Sequence, residues 1–396
     1  MNVTVRKGDT LWYYSQLFDV PLQLVIDSNE MENQESLEPG RKVAIPGYVR
    51  QTYTLDKGES FWSVATKRQL ALDTLFLLNP DLNPKELKIG ETIYLPVSVG
   101  KAFVKRDQPY DSEAMARDIN RLTTVYPFVK RETVGKSVEG KPIYELRIGN
   151  GEKKVHYNGS FHANEWITSS VIMTFLNDYL VSLTNRRTMR GLSTAPFYDQ
   201  VALSIVPMVN PDGVDLVLNG PPEDQTHREK VLKLNKGNGG FKDWKANIRG
   251  VDLNDQFPAK WELEQKARAQ APAPRDYPGE SPLCEPEAKA IADLTKKRDF
   301  DRVLAFHTQG RVIYWGFEEH EPEETETMAQ EFSRVSGYEP IRNVKSYAGY
   351  KDWFEQDFRR PGFTVELGSG TNPLPLSQFD EIYQESLGIF LASLYL

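Results

Sequence analysis

Lys153-Lys154-Val155-His156-Tyr157-Asn158-Gly159-Ser160-Phe161-His162-Ala163-Asn164-Glu165-Trp166 is the stretch whose reading decides the fold. Its first seven residues read as a strand reaching Gly159, and from Trp166 an amphipathic apolar pattern reads as a helix to about residue 183. His162 and Glu165 fall on the turn between them. An H-x-x-E spacing at a strand-to-helix turn brings one imidazole and one carboxylate to a common point, a pair suited to Zn²⁺. A histidine followed by glutamate at +3 also arises without any metal, so further ligands must come from elsewhere in the chain.

They come from two other strand ends. His307 closes the apolar run Val303-Leu304-Ala305-Phe306, and Glu366 closes Phe363-Thr364-Val365. Strands over 132–138, 143–149, 153–159, 201–208, 302–307 and 362–367 alternate with helices over 112–126, 166–183, 286–298, 323–336 and 378–396. This is an α/β pattern with a mixed central sheet. In such sheets ligands gather outside the carboxyl ends of strands, so the three strand-end residues converge on one crevice. His162, Glu165 and His307 supply three ligands to one zinc ion per chain and leave a fourth position to water, the arrangement of a catalytic site. Glu366 is then the general base; the alternative is a paired carboxylate at a sheet edge. His156 reads as a packed or edge histidine. His227 and His320 read as surface-loop residues without a role.

Composition narrows the partners. The formal net charge of −8 is spread along the chain, so there is no basic footprint for nucleic acid or anionic lipid. No window approaches the length of apolar sequence needed to span a bilayer. With five histidines and the single Cys284, neither a disulfide framework nor a cysteine-rich metal site can be built. The N-terminus shows no apolar signal-peptide core. The expected location is the cytoplasm or an enclosed cell.

The first hundred residues repeat at an offset of 50. Thr4, Lys7, Gly8, Trp12, Leu22, Asn29, Asn33, Leu37, Gly40 and Pro46 recur as Thr54, Lys57, Gly58, Trp62, Leu72, Asn79, Asn83, Leu87, Gly90 and Pro96. Each unit reads as β-α-α-β. Gly8-Asp9-Thr10-Leu11-Trp12, and less closely Gly58-Glu59-Ser60-Phe61-Trp62, resemble the LysM module. That resemblance implies binding of N-acetylglucosamine-containing glycan such as peptidoglycan, with tandem copies raising apparent affinity. Trp12 and Trp62 are read as core residues of a very small domain, leaving glycan contact to the loops. The domains expected are a first module over 1–47, a second over 51–97, a linker over 98–109 and a catalytic domain over 110–396.

Over nearly all of 110–396 the chain resembles the zinc carboxypeptidase family of carboxypeptidase A-like peptidases. The motifs are His162-x-x-Glu165, Gly250-Val251-Asp252-Leu253-Asn254, the strand-terminal His307 and Thr364-Val365-Glu366-Leu367. The resemblance implies zinc held by His162, Glu165 and His307, catalysis by Glu366, and Asp252 orienting a zinc-bound imidazole. It also implies a substrate-contacting tyrosine, matched to Tyr347, and an oxyanion-stabilising arginine. For the latter Arg249 is preferred over Lys245 because its charge is permanent.

One departure bears on substrate. At Asn254-Asp255 the family usually has Asn-Arg, whose arginine clamps a free C-terminal carboxylate. Asp255 is expected to repel that carboxylate and to welcome an ammonium group such as that of diaminopimelate. Beside two LysM-like modules, this points to a peptidoglycan peptide as substrate; the combination resembles peptidases of peptidoglycan stem peptides, and that resemblance implies cleavage between γ-D-glutamate and meso-diaminopimelate. The alternatives are a zinc carboxypeptidase or amide deacylase of other specificity, and a glycan-binding scaffold with an inactive peptidase domain. The proline-rich stretch 258–286, directly after Asn254-Asp255, is expected to rim the cleft.

Overall fold

The computed structural model describes residues 1–29, 37–342 and 345–396. The repeated Asn33 lies outside the described residues. The chain divides into two compact units. One comprises Met1–Phe103, Ile119–Lys130 and Asn177–Pro196; the other comprises Val104–Asp118, Arg131–Leu176 and Phe197–Leu396.

The first unit contains the repeat. In the first copy, strands β1 (Asn2–Thr4) and β2 (Lys42–Ala44) pair antiparallel around helices Leu11–Phe18 and Leu22–Asp27. In the second, β3 (Tyr48–Thr54) and β4 (Thr92–Ser98) enclose helices Phe61–Arg68 and Leu72–Leu78. The repeated letters have physical reasons. Gly8 and Gly58 precede the first helix with φ of 87° and 82°, a backbone region costly for any side chain. Thr10 and Ser60 then cap it through their hydroxyls. Asn29 donates to the carbonyls of Val25 and Ala44 at 2.7 and 2.9 Å and accepts from Ala44 N at 2.7 Å. Asn79 repeats these bonds on Leu75 and Tyr94. Each asparagine thus locks the second helix to the closing strand. The two copies are joined by Arg6, whose guanidinium grips Asp73 at 2.8 and 2.5 Å, with Tyr13 donating to the same carboxylate.

The two tryptophans are not core residues. Leu11, Tyr14, Ser15 and Phe18 occupy the buried face of the first helix at i, i+3, i+4 and i+7. Trp12 therefore points away and is 62% exposed, and Trp62 is 67% exposed for the same reason.

The second unit is built on an eight-stranded sheet. Its strands are β5 (Lys130–Lys136), β6 (Pro142–Ile148), β7 (Lys153–Gly159), β10 (Val201–Val206), β11 (Arg302–Thr308), β12 (Val312–Trp315), β13 (Glu339–Arg342) and β14 (Gly362–Leu367); β8 (Thr188–Met189) and β9 (Leu192–Ser193) form a separate hairpin in the first unit. The order is β13-β12-β14-β11-β7-β10-β6-β5. The central strands β14, β11, β7 and β10 run parallel, whereas β12 and β6 pair antiparallel at either side, so the sheet is mixed. Burial on both faces explains the unbroken apolar reading of β11, every residue of which is buried. β13, at the sheet edge, and β12 beside it, four residues each, escape the sequence reading because runs so short carry little periodicity. No helix among the described residues is long and apolar enough to cross a membrane.

Candidate active site

Register places the chemistry. Along the parallel strands β11 and β14, His307 stands opposite Glu366. On the other side β11 pairs β7 with Phe306 opposite Gly159, so the turn after β7 begins beside His307. That turn is a single 3₁₀ turn, Ala163–Glu165, entering helix Ile167–Thr184. Thr168 anchors it by its hydroxyl against Ser160 N at 2.8 Å, and Ala163 N donates to Lys245 O at 2.9 Å.

The three expected ligands meet in one place. His162 Nδ1 lies 2.9 Å from Glu165 Oε1, His307 Nδ1 lies 3.0 Å from Glu165 Oε2, and the two Nδ1 atoms lie 3.2 Å apart. All three residues are buried. Zinc bound tetrahedrally at about 2.0–2.1 Å sets neighbouring donor atoms about 3.3 Å apart, so this triangle has the dimensions of one face of such a site. Protons on both Nδ1 atoms could each bond one oxygen of Glu165 but would set two N–H donors 3.2 Å apart, whereas one divalent cation satisfies all three residues without that conflict. The residues fit the metal.

Surrounding groups hold the triangle in place. Glu165 accepts from Thr308 N at 3.2 Å and from the Asn372 amide at 3.3 Å, and Asn372 is itself bonded to Thr308. His162 uses its second nitrogen, Nε2, on Asp252 Oδ1 at 3.1 Å, fixing which nitrogen faces the cluster. Asp252 is fully buried and lies 2.9 Å from Lys245 Nζ, whose ammonium also approaches Asp276 at 3.5 Å. Phe161 stacks parallel to the His307 ring. Burial opposes the His162 imidazolium, but Glu165 and then Asp252 hold its pKa up to about 9. Burial pushes Glu366 up to about 8, reinforced by the Glu165 charge.

His162, Glu165, Lys245, Thr308, Glu366 and Asn372 line a cleft of about 430 Å³, together with Asp243, Arg275, Gln309 and Thr371. Glu366 faces it within reach of the cluster. The geometry corrects two readings. Arg249 does not reach the cleft: Asn247, Gly250 and Val251 form a tight turn, Gly250 at φ 81°, which directs Arg249 toward Glu285 at 3.5 Å. Lys245, in contrast, lines the cleft. Asp255 is 3% exposed, 3.5 Å from Arg268, and absent from the lining. Burial and the neighbouring Asp252 raise its pKa to about 8, so it presents no free negative charge to substrate at neutral pH.

Asn254 and Tyr347 are also absent from the lining. Asn254 braces helix Tyr350–Phe358 by accepting from Tyr350 N at 3.5 Å, and Tyr347 is packed beside Phe317 with Lys260 over its ring. His156 is buried, stacked on Phe300 and hydrogen-bonded to Ser204, as a packed histidine should be. His227 lies in helix Gln225–Leu234, not in a loop. Part of the 258–286 stretch does rim the cleft, through Arg275. Asn372, Thr308, Asp243 and Arg275 had no motif to announce them; Thr308 ends β11, and the other three belong to loops that only the fold brings to the cluster.

The sequence comparisons agree with this geometry. The zinc carboxypeptidase family model matches residues 115–388, and the LysM domain model matches 3–46 and 53–96. A Lysinibacillus sphaericus protein, Gamma-D-glutamyl-L-diamino acid endopeptidase 1, is 59% identical over the full length of both chains. Uncharacterized protein YqgT of Bacillus subtilis (strain 168) is 39% identical over 96% of each chain. Among solved structures, thrombin activatable fibrinolysis inhibitor aligns with a TM-score of 0.60 at 18% identity, over 80% of this chain and 90% of that one. Carboxypeptidase A from Helicoverpa armigera aligns with a TM-score of 0.56 at 20% identity, over 84% and 81%; both likenesses speak to fold alone. With a metal-sized triangle at the ends of two neighbouring sheet strands and a family model covering most of the sequence, this chain belongs to the zinc carboxypeptidase family, preceded by two LysM domains.

Proposed function

We propose that this enzyme hydrolyses the amide between γ-D-glutamate and a diamino acid, meso-diaminopimelate in the first instance, in peptidoglycan stem peptides. The LysM modules hold it on N-acetylglucosamine-containing glycan, so it works on cell-wall material. The carrying observation is the 59% identity, without truncation on either side, to a protein named for that endopeptidase activity. At the site, the supporting observation is the His162, Glu165 and His307 triangle with Glu366 facing the same cleft.

Each residue has a task in this reading. His162, Glu165 and His307 hold the zinc ion, with Asp252 orienting His162. Bound there, zinc supplies Lewis-acid polarisation of the scissile carbonyl and acidifies water. Glu366 takes a proton from the attacking water as the C–O bond forms. It returns that proton to the amine nitrogen as the C–N bond breaks, giving a carboxylate and a free amine. The Lys245 ammonium, held between Asp252 and Asp276, faces the cleft where negative charge develops on the carbonyl oxygen.

The absence of an arginine at position 255 supports an endopeptidase over a carboxypeptidase, because the clamp for a free α-carboxylate is missing. The test is turnover of a γ-D-glutamyl-diaminopimelate peptide against an α-linked C-terminal dipeptide, by wild type and Glu366→Gln. The expected result is cleavage of the γ-linked substrate by wild type, with a loss of at least about 100-fold in the variant. Preference for the α-linked dipeptide would overturn the assignment.

A further inference from the structure

The cleft contains a cation that the hydrolytic steps leave unused. Arg275 lies in the 258–286 stretch, which is stitched to the segment bearing Lys245 and Asp252 by backbone bonds. Lys245 N and Ala246 N both donate to Pro274 O, Ala273 N donates to Gly250 O, and Asp252 N donates to Tyr277 O, all between 2.7 and 3.0 Å. Arg275 Nε donates to Asp276 Oδ2 at 3.0 Å, while Asp276 Oδ1 faces Lys245 Nζ at 3.5 Å. A chain of charged contacts therefore runs from His162 through Asp252, Lys245 and Asp276 to the Arg275 guanidinium.

The two cleft cations differ in what remains of them. Lys245 is enclosed and already sits between two carboxylates. Arg275 is 60% exposed and engages Asp276 through Nε alone, so Nη1 and Nη2 have no partner among the described residues. That outer edge is the planar fork that binds a carboxylate through two parallel hydrogen bonds.

A γ-glutamyl amide leaves one carboxylate in a fixed place. The α-carboxylate of the glutamyl residue is free and three carbons from the reacting carbonyl, whatever follows on the amine side. We infer that Arg275 recognises this free α-carboxylate and thereby selects γ-linked acyl groups over ordinary peptides. This rests on the substrate reading above. The residue assigned is a specificity determinant on the insertion, in place of the clamp that position 255 lacks.

The test uses zinc-loaded enzyme and three γ-D-glutamyl-diaminopimelate peptides: one with all carboxylates free, one with the glutamyl α-carboxylate amidated, and one with the diamino acid's own carboxylates amidated. On the first, Arg275→Gln is expected to lower kcat/KM about 10- to 100-fold, with Arg275→Lys intermediate. On the glutamyl-amidated peptide, wild type and Arg275→Gln should converge to within about twofold; on the third they should differ as on the first. Calorimetric binding of the first peptide in a Glu366→Gln background should weaken by the same factor, independently of turnover. Equal losses on all three peptides, or convergence only on the diamino-acid-amidated one, would overturn the inference while leaving the substrate reading intact. Failure of wild type to cleave the first peptide would remove both.

Discussion

Replacing Asp252 by Asn separates the orientation of a zinc ligand from the stability of the fold. Asp252 accepts from His162 Nε2 at 3.1 Å and from Asn254 N at 3.2 Å through Oδ1, while Oδ2 faces the Lys245 ammonium at 2.9 Å. Asparagine keeps the volume but offers one acceptor and one donor group. If its oxygen stays on His162, its NH₂ confronts Lys245; if it turns to Lys245, His162 loses its support. The negative charge behind the imidazole is lost in either case. Removal of such an outer partner typically costs 10- to 100-fold in metal affinity, or about 1.4–2.7 kcal/mol. The variant also leaves Lys245 with only the longer Asp276 contact, which destabilises the fold for an unrelated reason. The double variant Asp252→Asn/Lys245→Met removes that ammonium. Zinc affinity by competition with a fluorescent chelator, with thermal melting of the metal-free proteins alongside, distinguishes the two effects. The single variant should lose affinity and melting temperature; the double should recover melting temperature alone. A zinc Kd within twofold of wild type in the single variant, or restored in the double, would refute the orienting role.

Other outcomes follow from other parts of the molecule. Asn79→Ala leaves Tyr94 N and O without their part-buried partner and should destabilise the second LysM module by about 1–3 kcal/mol; Asn83→Ala, at an exposed repeated asparagine, should stay within about 0.5 kcal/mol, both read by urea unfolding. Trp62→Ala should likewise leave stability within about 0.5 kcal/mol because the ring is solvent-facing, so a loss of peptidoglycan pull-down would be a binding effect. Burial, with Asp212 and Glu285 nearby, raises Glu287 from the usual 4.5 to about 8. The folded state therefore keeps a proton that the unfolded chain has released, and stability falls as pH rises through that window. Glu287→Gln should flatten the fall, its melting-temperature advantage growing between pH 5 and pH 8; a constant difference would contradict the assignment.

What the sequence revealed and what it hid divide along physical lines. β11 was legible because a doubly buried parallel strand is a short apolar run, and β7 and β14 from the alternations Val155-His156-Tyr157 and Phe363-Thr364-Val365; the residues that end or follow these strands carry the chemistry. The helices Pro286–Arg298 and Glu324–Ser336 were legible from their periodicity. The fold places Asp252 behind His162 as the motif implied. Arg249 was misread because charge permanence was weighed and backbone direction was not, and the turn at Gly250 decides which way that side chain points. Asp255 was read as an exposed charge because burial is invisible in a motif. Trp12 and Trp62 were assigned to the core by residue type, although position 12 falls on the helix face opposite Leu11 and Phe18. Arg275 and Asn372 reach the cleft from loops far away in sequence, through backbone pairing that no spacing rule encodes.

The masses of the products that the zinc-loaded enzyme releases from a stem tetrapeptide, L-Ala-γ-D-Glu-diaminopimelate-D-Ala, decide the proposed cleavage. Two dipeptides are expected, one ending in D-glutamate with its γ-carboxylate free and one beginning with diaminopimelate, and neither product after chelation. Release of the terminal D-Ala alone would contradict it, placing the enzyme among peptidases that trim a free C-terminus.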